Sequence, residues 1–329
     1  MAAGAPAPAR PRPREPSGAA ELPVFVLTGP TAAGKTDWAV RLAEAAPLEI
    51  VSVDSAQVYR GLDIGTAKPP RALRARVPHH LVDICEPTES YSAGRFVADA
   101  MECIRDIQAR RRVPLLVGGT MLYLRALLYG LASLPQADPT LRAQLDARAA
   151  RRGWPALHEE LKGLDPQAAA RIAPADAQRI QRALEVCYTT GRPISQLQRT
   201  TSSPLAGYRV RHWMLAPRER TELHQRIAQR FQNMMAGGFL EEVIRLRALS
   251  GLTARHPAMR AVGYRQLWAH LAGDYTLDEA VRRAVAATRQ LAKRQLTWMR
   301  SERLGQWIDP DSQLSWNRDI CHELAALGL

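Results

Sequence analysis

The sequence predicts an α/β fold: a parallel sheet carrying a phosphate-binding loop at its edge, with an all-helical insertion cut into the middle of the chain. Three observations predict it. Gly29-Pro30-Thr31-Ala32-Ala33-Gly34-Lys35-Thr36 spells the full G-x-x-x-x-G-K-[ST] pattern directly after an apolar run at 24–27, the strand-loop-helix order that this motif requires. Apolar runs at 24–27, 50–53, 81–84 and 113–117 alternate with helical patterns at 37–46 and 96–111, which is the rhythm of βαβ units. From about residue 135 the texture becomes Arg- and Ala-rich and is broken by Pro139, Pro155, Pro166, Pro174 and Pro193, until a strand pattern resumes at 208–215. Proline punctuation at that density favours short helices over strands.

A P-loop NTPase-like core is therefore expected at 22–134 and 204–329, the second part ending in long helices near 218–236 and 277–302, with the helical insertion at 135–203. A chain of 329 residues exceeds what one core usually organises. Residues 1–21, rich in Ala, Pro and Arg, are expected to be a disordered tail. Arg10, Arg12 and Arg14 give it some look of a targeting segment, but its prolines forbid an amphipathic helix. Lys plus Arg number 45 against 32 acidic residues, a net charge of +13 that suits a polyanionic partner. No run approaches the ~18 apolar residues of a membrane span, so no membrane partner is expected. Cys85, Cys103, Cys187 and Cys321 are scattered, which suggests neither a disulfide framework nor a cysteine zinc site and fits a reducing, cytoplasmic location.

The phosphate loop is the first candidate site. Its glycines let successive N–H groups turn toward phosphate oxygens, Lys35 adds a point charge, and the Thr36 hydroxyl offers a ligand to Mg²⁺. Asp54 ends the strand pattern at 50–53 and is followed by Ser55 and Gln57. A carboxylate there has three candidate tasks: positioning a metal ion, taking a proton from a nucleophile, or capping the next turn. Gly118-Gly119-Thr120 closes the run at 113–117 at the same sheet edge. His79-His80 lacks further ligands at metal-binding spacing and reads as structural or phosphate-adjacent. The segment 61–69, with Lys68, reads as a lid or a connector. On the last long helix Arg282, Arg289, Lys293 and Arg300 form a cationic stripe beside an apolar face of Val281, Val285, Ala292, Leu296 and Met299. With one acidic residue between 282 and 303, intrahelical pairing is expected not to neutralise the stripe, which reads as meeting a negative partner or as a solvated face.

Taken together, the stretches 29–36, 54–59, 61–69, 79–83, 118–123, 178–186, 260–266 and 288–299 resemble, in order, the bacterial tRNA dimethylallyltransferases. No zinc-finger pattern follows Trp307, which sets the chain with bacterial members rather than the longer eukaryotic type. The resemblance implies transfer of a dimethylallyl group from dimethylallyl diphosphate to N6 of the adenosine immediately 3′ of the anticodon, in tRNAs reading codons that begin with U. It implies that residues 29–36 hold the diphosphate, with Lys35, Thr36, Asp54 as general base and Thr120 forming the catalytic group, and Thr36 on Mg²⁺. It places tRNA contacts at Asp54, Ser55, Ala56, Gln57 and Thr120, at Arg142 from the insertion, and at Gln178, Arg179, Ile180, Gln181 and Arg182. A third tRNA segment comprises Arg260, Ala261, Val262, Gly263, Tyr264 and Arg265. A monomer is expected.

The adenine amine is a weak nucleophile because its lone pair is delocalised into the ring, so the reaction needs a stabilised leaving group and a proton acceptor. Two other classes share parts of this pattern. A P-loop kinase would convert ATP to ADP with a small acceptor, and an RNA-binding switch protein would bind RNA without modifying it. Neither requires the segment 54–59. Prenylation of free adenine nucleotides would leave the Arg-rich insertion without a purpose.

Overall fold

The computed structural model describes residues 23–198, 201–310 and 325, so the tail expected at 1–21 and Cys321 lie outside the described residues. Strand β1 (Val24–Thr28) leads through the phosphate loop into helix α1 (Lys35–Ala45) and strand β2 (Leu48–Val53). Then come α2 (Arg71–Arg76), β3 (His79–His80), α3 (Ala93–Ala109), β4 (Val113–Gly118) and α4 (Met121–Tyr129). Five helices follow, α5 (Pro139–Arg152), α6 (Trp154–Leu164), α7 (Pro166–Ala169), α8 (Ala177–Thr190) and α9 (Ile194–Leu197). The chain returns through β5 (Val210–Leu215) to α10 (Arg220–Ala236), α11 (Phe239–Arg247), a 3₁₀ turn (Pro257–Arg260), α12 (Tyr264–Leu271), α13 (Leu277–Ser301) and β6 (Gly305–Ile308).

The described strands form one parallel sheet in the order β3-β2-β4-β1-β5-β6. Both faces are covered, which is why the strands read as continuous apolar runs. Phe25 and Leu27 pack with Trp38, Ala39 and Leu42 of α1 on one side. Val24 and Val26 share the other side with Phe96 and Ile104 of α3, Leu124 of α4 and Phe239 of α11. The register places Gly118 opposite both Thr28 and Val53. The loops leaving β1, β2 and β4 therefore start at one level on the carboxyl edge of the sheet, where ligands bind in open α/β sheets. The strand ends at this edge are very close together, since a Cβ on Gly29 would overlap the carbonyl of Leu215, the last residue of β5, and one on Gly118 the Val53 carbonyl.

Two sequence expectations are corrected. The run at 81–84 is not a strand: pairing with β2 stops at His80, and Leu81 and Asp83 take left-handed backbone conformations (φ 61° and 58°). That twist brings Asp83 to Lys68 Nζ at 2.5 Å and to Arg74 at 2.8 Å, an ionic contact that overrides strand propensity. Strand β6 was not anticipated, because a four-residue edge strand beginning with glycine carries almost no periodic signal.

The helices between 139 and 197 enclose an apolar cluster of their own, including Leu145, Leu157, Leu161, Ile180 and Leu184. Within it Glu185 is fully buried and accepts a bidentate pair from Arg142 (2.8 and 2.9 Å) as well as bonds from Arg182 Nη1 (2.6 Å) and the Asp138 amide (2.8 Å). Burial alone would raise the Glu185 pKa; the two arginines outweigh it and hold the carboxyl below its usual range. Arg142→Ala is expected to cost about 2 kcal/mol of stability by stripping a buried carboxylate of its best partner, read as a lower Tm.

Candidate active site

The phosphate loop is shaped by Ala32 (φ 64°) and Gly34 (φ 85°), two left-handed residues flanking the buried Ala33. Alternation of this kind turns successive N–H groups toward one point. Helix α1 starts immediately after, at Lys35 and Thr36, so its unsatisfied first-turn amides and positive dipole end face the same concavity. Lys35 Nζ donates to the Pro30 carbonyl at 2.8 Å. Burial, then the charge of Arg230, lower its pKa to about 8, with Asp54 opposing. Burial likewise lowers the Arg230 pKa, opposed by Asp54 and Asp37. Two desolvated cations side by side raise the energy of the site until an anion meets them.

Across from the loop stand the ends of β2 and β4. Asp54 Oδ1 accepts from the amides of Ala56 (2.8 Å) and Gln57 (3.2 Å), so the carboxylate does cap the following turn. Among the described residues Oδ2 takes no part in those two bonds. Thr120 sits at the N-cap position of α4 without capping it. Its hydroxyl instead accepts from the Ser55 amide at 3.0 Å and donates to Ser55 Oγ at 3.3 Å, joining the two strand ends.

The segment 61–69 is a pinned connector, not a lid. Glu242 of α11, 2% exposed, accepts from the amides of Asp63, Ile64 and Gly65 (3.1, 2.7 and 3.2 Å) and from the Tyr264 hydroxyl (2.5 Å). Lys68, 8% exposed, donates to the Tyr59 carbonyl (2.8 Å), Asp63 (2.7 Å) and Asp83 (2.5 Å). So held, the Thr66 carbonyl accepts from Arg230 Nη2 at 3.4 Å and Gln57 Nε2 at 3.3 Å. His80 pairs with Glu49, while His79 lines the cavity described next. No group of three metal-binding side chains occurs among the described residues.

These pieces surround one cavity of about 680 Å³. Its polar part is lined by Lys35, Thr36, Asp54, Thr120, Arg230 and Arg294, and its apolar part by Ile227, Phe231, Met234, Leu291 and Trp298, with Leu122 exposed at the α4 end. Thr31, Ala32, Ser55, Ala56, Gln57, Arg179, Arg260, Ala261, Val262 and Tyr264 also line it, so the three implied tRNA segments each reach it. Gly29, Pro30, Ala33 and Gly34 build the loop without lining this cavity.

Other expected contacts are placed elsewhere. Ile180 is fully buried in the helical cluster and presents nothing to a ligand. Arg142 and Arg182 are bound to Glu185, so their first role is structural. Gln181 bonds the Arg142 carbonyl and Asp146, Gln178 and Arg265 are exposed away from the cavity lining, and Gly263 is buried at φ 92°, with a Cβ there 2.9 Å from Phe239. The expectation that intrahelical pairing leaves the cationic stripe untouched is corrected at its start: Glu279, one turn upstream in the same helix, accepts from both Arg282 and Arg283.

Sequence reasoning missed Arg230, Arg294, Glu242 and Gln295 as site residues. Gln295 did leave a trace, because it lies between Ala292 and Met299 on the buried stripe of α13, where an unpaired amide would be costly.

The match to known families agrees with this geometry. Family models described as IPP transferase and isopentenyl transferase match residues 57–302 and 22–76. The chain belongs to the IPP transferase family. The two matches together span every cavity residue named above. Among relatives, a tRNA dimethylallyltransferase of Alkalilimnicola ehrlichii is 57% identical over 290 residues, covering 88% of this chain and 91% of that one. One from Chromobacterium violaceum is 59% identical, covering 84% and 86%. Among solved structures, the full-length tRNA isopentenylpyrophosphate transferase of Bacillus halodurans aligns with a TM-score of 0.66 at 36% identity, covering 93% and 97%. A eukaryotic dimethylallyltransferase acting on tRNA aligns with a TM-score of 0.73 at 25% identity, covering 92% and 77%.

Proposed function

We propose that this IPP transferase transfers a dimethylallyl group from dimethylallyl diphosphate to N6 of the adenosine 3′-adjacent to the anticodon of tRNAs reading codons that begin with U. The products are N6-(dimethylallyl)adenosine and diphosphate. The observation that carries the reading is the one cavity lined by Lys35 of the phosphate loop, by Arg230, both desolvated, and by Asp54 at the neighbouring strand end.

In this reading the loop amides, Lys35 and Arg230 meet the charge that develops on the diphosphate as its C–O bond breaks, an electrostatic effect worth several kcal/mol per well-placed donor. The five-carbon unit lies against the apolar lining, Ile227, Phe231 and Met234 among it. As the new N6–carbon bond forms, Asp54 Oδ2 accepts the amine proton while Oδ1 keeps the turn at 55–57 in place. Thr120, held by Ser55, orients the incoming base edge. A stacked base cannot reach this depth, so it is extruded at a cost of a few kcal/mol. The donors available to Mg²⁺, the Thr36 hydroxyl and the Asp54 carboxylate, are hard oxygens of the kind this ion shares with phosphates and water. When bound, it would neutralise diphosphate charge.

Arg179 from the helical insertion and Arg260 and Arg294 from the C-terminal helices face the cavity, so the tRNA is proposed to lie between the insertion and the core, with exposed Arg289 and Lys293 on its phosphates. Replacing both with Gln is expected to weaken tRNA binding and to reduce the slope of log affinity against log salt by about 1–2. No described helix is long and apolar enough to cross a membrane. A cytoplasmic monomer acting on tRNA is part of the proposal. Nucleoside mass spectrometry of unmodified tRNA incubated with the protein, dimethylallyl diphosphate and Mg²⁺ tests the reading. A dimethylallyl mass on adenosine is expected, and adenosine left unmodified would overturn it.

A further inference from the structure

Gln295 lies on the buried stripe of α13, 6% exposed. Its amide spans two loops that are distant in sequence: Oε1 accepts from the Thr31 amide at 2.9 Å, and Nε2 donates to the Gly119 carbonyl at 2.7 Å. Contact is tight on the Gly119 side, where a Cβ would fall 2.5 Å from Nε2 and 3.0 Å from the Gly29 carbonyl. Thr31 belongs to the loop assigned to the leaving group, and Gly119 is bonded to Thr120, which holds Ser55 beside Asp54.

We propose that Gln295 is a positioning residue for prenyl transfer, its amide fixing the separation between the diphosphate-binding loop and the Asp54–Thr120 pair. The inference rests on the function proposed above. It goes beyond that function in assigning the gap between donor and acceptor to the amide of one side chain on the cavity wall. Such a gap is stringent, because a misplacement of about 1 Å at the reacting centre can cost roughly 10²-fold in rate.

The chemistry of the fork permits a specific test. The position requires one acceptor and one donor, which glutamine provides at every pH and glutamic acid provides only while protonated. An ionised carboxylate would instead point charge at the Gly119 carbonyl oxygen. Lys35, Asp54, His79, Arg179, Arg230, Arg260 and Arg294 line the same cavity and are present in wild type and variant alike, so the variant is read as a ratio to wild type at each pH.

The experiment is steady-state prenylation of full-length tRNA by wild type, Gln295→Met and Gln295→Glu. If wild type forms no prenylated product, the proposed function fails, and the failure is seen before any variant is compared. Given wild-type activity, Gln295→Met is expected to lose about 30–100-fold in kcat with KM for donor and tRNA within about threefold. Gln295→Glu is expected to lose a similar factor at about pH 8, and its ratio to wild type to recover about tenfold by about pH 6 as the carboxyl protonates. A kcat for Gln295→Met within about threefold of wild type overturns the proposal. Should the methionine variant fail to fold, the glutamate ratio decides alone, and a ratio that stays flat between those pH values overturns it as well.

Discussion

Asp54→Ala is expected to lower turnover on tRNA by about 10²–10⁴-fold, the usual worth of a positioned general base, while tRNA affinity stays within a few fold. The alanine variant also removes the acceptor for the Ala56 and Gln57 amides, so its loss alone does not separate proton transfer from turn geometry. Asp54→Asn does separate them. An asparagine Oδ1 accepts the same two amide bonds but has no basic oxygen left for a proton. If Asp54 is the base, the asparagine variant falls nearly as far as alanine. If the carboxylate serves to cap the turn, asparagine restores most of the rate. Single-turnover rates for the three proteins decide between them.

Lys35→Met is expected to combine a large loss of activity with a gain in stability. Removing one charged donor aimed at a developing anion costs roughly 10²–10³-fold in kcat. Yet in the ligand-free protein Lys35 is held charged against burial and against Arg230, its pKa brought down from 10.5 to about 8. At neutral pH that depression corresponds to about 3 kcal/mol of destabilisation, partly offset by the bond to Pro30. The methionine variant should therefore melt a few degrees higher than wild type. Because the folded-state value lies below the unfolded one, the unfolded chain binds this proton more tightly, and wild-type stability should rise with pH between about 8 and 10.5. The variant should lack that component. Ligand binding has the opposite dependence: the ratio of wild-type to variant affinity for inorganic pyrophosphate, in which the ligand's own protonation cancels, should be level below about pH 8 and decline above it as Lys35 loses its proton. Thermal melts and pyrophosphate titrations across that range check both, and a variant less stable than wild type at neutral pH would show that the cation is not strained.

These two residues were legible in the sequence for a reason that does not extend to the whole site. Lys35 belongs to a contiguous pattern, and Asp54 ends an apolar run, so local order alone announced them. The phosphate loop and the apolar runs likewise made the parallel sheet legible, since strands buried on both faces cannot avoid a continuous signal. Gln295 and Glu242 act on partners 264 and 179 residues away, and no spacing in the chain encodes such a contact. Arg230 appears as one arginine among many until the fold places it beside Lys35. The partners of the insertion's arginines were hidden for the same cause. Arg142 and Arg182 look like free RNA-binding cations as long as the buried Glu185 between them is unseen. Lys68, in a segment readable as lid or connector, proves to be the bolt of a connector because Asp83 gives up strand geometry to reach it.

The account depends on donor and acceptor meeting within the one cavity bounded by residues 29–36, Asp54 and Arg230. The most direct measurement is a crystal structure of the protein with an unreactive thiolo-diphosphate analogue of the donor and an anticodon stem-loop. The account predicts the diphosphate on the loop amides, Lys35 and Arg230, the purine extruded, and N6 about 3–3.5 Å from the reacting carbon with Asp54 Oδ2 about 2.6–3.2 Å from N6. A diphosphate bound away from Lys35, or a purine whose N6 lies beyond reach of the Asp54 carboxylate, would contradict it.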